Sequence, residues 1–219
     1  MLLCFDTVLW SIIGDAGLFV SSVEPSAQAP PLVAHLDRKH GIAPPPIWRR
    51  MQVTSETTLA QLHRILQRVM GWEGYHLYRC EVGGMEYGDP RMLEEMEGED
   101  ARRVTLETLV QGEKDKFLYE YDFGDSWDHE LLVEKVLPSE AGKRYPVCLT
   151  GKRACPPEDC GGIWGYAGFL DAIQNPQHPE HEEMLEWVGG EFDPEAFDLD
   201  EVNRELQRLP PPKVKRSQQ

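Results

Sequence analysis

The sequence predicts an α+β fold: a mixed sheet crossed by one helix, with additional helices towards the C-terminus. Three observations carry this. The stretch FLYEYDFGDSWDH, Phe117 to His129, alternates aromatic and acidic residues, turns at Gly124 to Ser126 and returns through WDHELLVEKV with Trp127, His129, Leu131 and Val133 on one side. Period-two alternation around a short polar turn is the pattern of a half-buried hairpin. Leu59, Leu62, Ile65, Leu66 and Val69 recur at helical spacing, and beyond Tyr166 three further helical stripes are separated by Asn175-Pro176 and Gly189-Gly190.

Taken in order, Met1 to Pro31 is apolar and has no Lys or Arg, unlike the positive start of a signal peptide. Asp6 and Asp15 interrupt it, which argues against a membrane span. Residues 1–31 are therefore expected to be an unstructured or misassigned extension, 32–209 a single domain and 210–219 a basic disordered tail. Export is the alternative to a cytoplasmic location, because Ala27-Gln28-Ala29 resembles a small-residue cleavage site.

LVAHLDRK, Leu32 to Lys39, reads as a first strand and Gly41 to Pro46 as a turn. IWRRMQV then forms a second strand with Ile47, Arg49, Met51 and Val53 on one face. Arg50 points the other way, and one of the two arginines is expected to pair with an acid of the hairpin. Thr58 with Gln61 is a capping box, and Gly71 ends the helix. His63 beside its stripe reads as a helix-surface or satisfied core histidine rather than a ligand.

HLYRCEVGG, from His76, is a third strand that Met85 to Gly88 extends or pairs with; Pro90 to Arg103 is irregular, and Val104 to Val110 is a short helical turn. The order β-β-α-β, helical piece, β-β is that of a β-grasp-like sheet. Tyr145 to Tyr166, with Pro156-Pro157, Gly161-Gly162 and three cysteines, is expected to be an irregular, functional loop. Pro179 opens a helix, and Asp198 with Glu201 caps the last one, which ends at Pro210.

A formal net charge of -16 and a pI near 4.8 oppose broad phosphate neutralisation, so nucleic acid is not an expected partner. Ten Asp or Glu and no Lys or Arg fall between His178 and Glu201, which reads as a solvated helical face. Five scattered cysteines, an odd number, fit a reducing compartment.

Three constellations bear on chemistry. Cys148, Cys155 and Cys160, spaced C-x6-C-x4-C, would need Asp159 or His129 to complete a zinc site, and they lack the paired spacing that zinc ribbons favour. Asp122, Asp125 and His129 are candidate ligands for a divalent metal, with Asp128 nearby and Glu158 and Asp159 as candidate catalytic carboxylates. The competing reading gives the turn aspartates to backbone N–H groups and buries His129 with a hydrogen bond. Trp72, Trp127, Trp164 and Tyr166 lie at element ends, where rings either wall a pocket or fill a core. The sequence contains no phosphate loop, nucleophile elbow, zincin helix or dinucleotide fingerprint.

PPIWRR, TTLAQLHRILQRVMGW with YHLYRCEVGG, FLYEYDFGDSWDH, RYPVCLTGKRACPPEDCGG, WGY and HPEHEEMLEWVGGEFDPEAFDLDEVN together resemble the plasmid pRiA4b ORF-3-like family, also labelled as TnpR-type transposon passenger proteins. The resemblance runs from about Leu32 to Leu209. It implies a cytosolic α+β domain found near mobile elements, without an established activity. The resolvase that the TnpR label suggests conflicts with the acidic charge and with the lack of a basic helix-turn-helix. The motif positions a family-wide site would use are His76, Asp122, Asp125, Trp127, His129, Glu158, Asp159, Gly161 and Gly162.

The expected function is a module binding a small ligand or protein in a polar pocket between the hairpin tip and the PPED loop, with His76, Trp127, Trp164 and Tyr166 as binding residues. The alternative is a metal-dependent hydrolase with Asp122, Asp125 and His129 as ligands and Glu158 as general base.

Overall fold

The computed structural model describes the backbone of residues 7–14 and, in full, residues 47–89, 91, 98–140 and 142–210. In chain order the elements are β1 (Thr7–Gly14), β2 (Trp48–Thr54), α1 (Leu59–Met70), β3 (Tyr78–Val82), β4 (Met85–Gly88), β5 (Glu99–Asp100), α2 (Leu106–Leu109), β6 (Lys116–Tyr121), β7 (Trp127–Leu137), β8 (Val147–Lys152), α3 (Gly162–Gln174), α4 (His181–Trp187) and α5 (Leu199–Arg208). The eight strands form one sheet in the order β5-β4-β3-β6-β7-β1-β2-β8. The sheet is mixed through the single parallel pair β4–β5; the other neighbours are antiparallel.

One face of this sheet is the core. β2 contributes Arg49, Met51 and Val53, and the hairpin contributes Phe117, Tyr119, Tyr121, Trp127, His129, Leu131 and Val133, all buried. Against them packs α1, whose Leu59, Leu62, Ile65, Leu66 and Val69 are also buried. Each such side chain contributes roughly 1.5–3 kcal/mol when fully removed from water. The start of α1 is fixed by both arms of the capping box, Gln61 N–H to Thr58 Oγ1 at 3.2 Å and Thr58 N–H to Gln61 Oε1 at 2.8 Å. Its end is fixed by Gly71 at φ 80°, a left-handed conformation that glycine adopts without a Cβ penalty.

Two expectations about elements differ from the structure. The strand between β7 and β2 is Thr7–Gly14, inside the stretch expected to be unstructured, while Leu32 to Lys39, expected as the first strand, lies outside the described residues. The cysteine-containing loop is irregular chiefly in its middle, because Val147–Lys152 pairs with β2 as an edge strand and α3 already begins at Gly162. Asn203 of α5 secures that edge by accepting from Cys148 N–H at 2.9 Å and donating to Cys148 C=O at 2.9 Å. An edge strand needs ladder partners on one side only, so a short segment with a glycine suffices.

Arg49 and Arg50 take opposite faces, as strand alternation requires. Arg50 pairs with the buried Glu134 of β7 at 3.0 Å. Arg49, 3% exposed, donates to the carbonyls of Trp48, Val69, Lys152 and Arg153 and lies 4.4 Å over the Phe197 ring. Its charge is thereby satisfied by dipoles and a π-face, and the chain leaving β8 is tied to the core.

Candidate functional site

The five-residue tip between β6 and β7 is organised by Asp122. This residue has φ 56°, a left-handed conformation that Asp tolerates better than most residues. Its N–H donates to Leu77 C=O at 3.0 Å, its C=O accepts from Ser126 N–H at 2.6 Å, and Oδ1 accepts from Gly124 N–H at 3.0 Å. One carboxylate oxygen therefore builds the turn and leaves Oδ2 for something else.

The PPED segment folds back onto this tip. Trp72 donates its indole N–H to Pro156 C=O at 2.8 Å, and Asp125 Oδ2 accepts from Gly161 N–H at 3.0 Å. Glu158 bridges the two pieces: Oε1 accepts from the Tyr121 hydroxyl at 2.5 Å and Oε2 from Glu73 N–H at 2.8 Å. Burial and that carboxylate both raise the Tyr121 pKa, which keeps the phenol protonated as the donor. Gly162 makes the approach possible: at φ 67°, any Cβ there would lie 2.4 Å from Asp125 C=O.

Folding the two pieces together brings His76, at the entry to β3, between two aspartates. Its Nε2 lies 3.0 Å from Asp159 Oδ1 and 3.5 Å from Asp122 Oδ2. Ligand atoms of the three residues all fall within 4.8 Å of one another. Nε2 is shielded from solvent, and its direction makes no hydrogen bond with either carboxylate. Asp159, like Asp122, is left-handed, at φ 60°. Two non-glycine residues in that conformation facing one imidazole is an arrangement that local preferences disfavour and tertiary contacts hold.

The expected site residues thus separate into two groups. Asp122, Asp125, Glu158, Asp159, Gly161, Gly162 and His76 converge. His129 does not: it is 2% exposed, its Nδ1 lies 2.9 Å from Trp127 C=O and 3.3 Å from Tyr119 C=O, and burial lowers its pKa to about 4. His76 rather than His129 faces Asp122 and Asp159, because strand alternation turns residue 129 inward. Asp125 serves as a latch on Gly161 rather than facing His76. Trp127 packs against Trp72 in the core, with ring centroids 6.0 Å apart, and Tyr166 is buried against Phe169 and Phe192. Trp164 is 63% exposed on α3.

Among the described residues the cysteines do not join a group of three or more ligand atoms close enough to share an ion. The group of three or more potential ligands found together among the described residues is His76, Asp122 and Asp159. Burial pushes the thiols up, Cys148 and Cys155 to about 11 and Cys160 to about 12. Tyr121 and Glu73 are contributors the sequence did not single out; the aromatic alternation through Tyr121 was visible, but its partner was not.

The model of the plasmid pRiA4b ORF-3-like proteins matches residues 40–201, a span that includes every member of the converging group. The chain belongs to the plasmid pRiA4b ORF-3-like family. Uncharacterized protein y4hQ of Sinorhizobium fredii is 39% identical over 170 residues, covering 75% of this chain and 86% of that protein. The crystal structure of MM3350, a protein of unknown function from Methanosarcina mazei Go1, superposes with a TM-score of 0.69 at 33% identity, over 90% of this chain and 98% of that one. The MM3350 structure shares the mixed α+β fold, and neither protein carries a functional name. Among the described residues no helix is long and apolar enough to cross a membrane.

Proposed function

We propose that this pRiA4b ORF-3-like protein is a binding module whose site holds a divalent metal ion on His76 Nε2, Asp122 Oδ2 and Asp159 Oδ1. The observation that carries the reading is the shielded Nε2, within 3.0 and 3.5 Å of two carboxylates yet hydrogen-bonded to neither. A neutral imidazole presents a lone pair at Nε2, and a dication placed between that lone pair and two carboxylates attracts all three. One nitrogen with two carboxylate oxygens suits zinc, manganese or ferrous iron, and leaves further coordination positions for a ligand or water. Free cysteines at 80, 148, 155 and 160 accord with a reducing, cytoplasmic setting.

Those open positions also favour the hydrolase reading, but Glu158 does not suit the role of general base. Both of its oxygens already accept hydrogen bonds, from Tyr121 and from Glu73, so it acts as a strut between hairpin and loop. The test is titration of metal-depleted protein with Zn2+ and Mn2+ by calorimetry. Saturable binding of one equivalent, weakened at least about tenfold in His76→Ala, is expected. Absence of binding, or equal binding by His76→Ala, refutes the site. Ester hydrolysis by the loaded protein that disappears in Glu158→Gln would reinstate the hydrolase.

A further inference from the structure

A second cavity, of about 480 Å³, opens between α1 and the entry to β3, with Arg91 and Arg102 on its far side. Its charge is opposite to that of the molecule. Although the chain carries -16 overall, four arginines, 64, 68, 91 and 102, line this cavity against two carboxylates, Glu73 and Asp89. Arg91 and Arg102 are engaged by Asp89 and Asp100 at 2.8 and 2.7 Å. Arg64 and Arg68, one turn apart on α1, have no carboxylate partner among the described residues.

The inner wall supplies an independent signal. Gln67 is 4% exposed and donates from Nε2 to the Tyr119 hydroxyl at 2.9 Å, yet its Oε1 has no partner. With the amide donating to Tyr119, Oε1 is the orphan, and a buried orphan of this kind costs on the order of 1–3 kcal/mol. Because Tyr119 accepts from Gln67, its own proton goes to His63 Nδ1 at 2.8 Å. The His63 proton is then on Nε2, the nitrogen Tyr119 does not engage. Stacked on Tyr78 at 3.8 Å, the His63 ring is held in that orientation. The wall therefore holds a buried acceptor and a neutral donor beside two guanidinium groups without a carboxylate partner among the described residues.

We propose that this cavity binds a small organic anion, phosphate or carboxylate, that also carries a hydroxyl or amino donor. The anion is held by Arg64 and Arg68, and the donor by Gln67 Oε1. Guanidinium forks match both kinds of oxyanion, and the volume is in the range of small-molecule sites. The ion-pair part weakens with salt, because Arg64 is solvent-exposed.

The test uses the full chain, depleted of metal so that the His76 cluster cannot contribute. Glycerol 3-phosphate and malate are titrated by calorimetry at low ionic strength, with glycerol as the neutral comparison. Saturable binding of one of the two anions, weakened at least about tenfold in the double variant Arg64→Gln/Arg68→Gln, is expected, and the anion that binds identifies the source. Both substitutions lie on the outer side of α1, so an unchanged melting temperature verifies the fold of the variant. Gln67→Met separately removes the acceptor and is expected to narrow the preference for the anion over its analogue without the donor, succinate in place of malate. Failure of both anions to bind, equal binding of glycerol, or full affinity in the double variant overturns the proposal.

Discussion

Asp122 performs two tasks with one carboxylate, Oδ1 closing the turn through Gly124 N–H and Oδ2 facing His76. The two are separable by substitution. Asp122→Asn retains the acceptor and tolerates φ 56°, so its melting temperature stays within a few degrees of the parent while metal affinity falls at least about tenfold. Asp122→Ala loses the turn bond as well and is expected to lower stability by about a further 1 kcal/mol in urea titration. Gly162→Ala acts through space: the new Cβ meets Asp125 C=O and is strained at φ 67°, so the loop must lift from the hairpin. That variant is expected to lose at least about 1–2 kcal/mol and to lose metal binding with it. A variant that retains full stability and full affinity would show that the two pieces do not depend on this contact.

At the scale of elements, helix α1 and the central hairpin position everything else. Thr58→Ala removes one arm of the capping box and is expected to cost about 1 kcal/mol in urea denaturation. Both elements were legible in the sequence because each buries one face, and burial of one face writes a period of 3.6 or 2 into the residues. Arg49 and Arg50 were placed on opposite faces by the same rule. Strand β1 was not legible: TVLWSIIG is almost continuously apolar, and such a run does not distinguish a central strand from an apolar extension. Strand β8 was hidden by the Pro and Gly around it, which an edge position accommodates. In the site, the acidic tip and the PPED loop could be read as partners, but which histidine faces them could not. His129 is close in sequence to Asp122 and Asp125, whereas His76 reaches them only through the pairing of β3 with β6. Alternation, applied strictly to the hairpin, was the one signal that excluded His129.

For the whole molecule, the buried imidazoles set how stability responds to acid. Burial lowers the pKa of both His63 and His129 to about 4 from an ordinary 6.5. The unfolded chain therefore binds more protons than the folded one between those values, and their contribution is complete above about pH 6.5 and lost as pH falls towards 4. For fully buried His129 this amounts to on the order of 3 kcal/mol. Protonation of the many carboxylates relieves the charge of -16 in the same window, so the effect is read as a difference. His129→Asn is expected to show a shallower fall in urea midpoint between pH 6.5 and 4 than the parent; parallel curves would mean that His129 titrates normally. The central claim concerns where the hairpin and the PPED loop meet, and crystals soaked in Mn2+ test it most directly by anomalous scattering. The account predicts one strong peak at about 2.0–2.3 Å from His76 Nε2 and from an oxygen of both Asp122 and Asp159. A peak on other residues, or none at this place in crystals that bind the ion elsewhere, would contradict it.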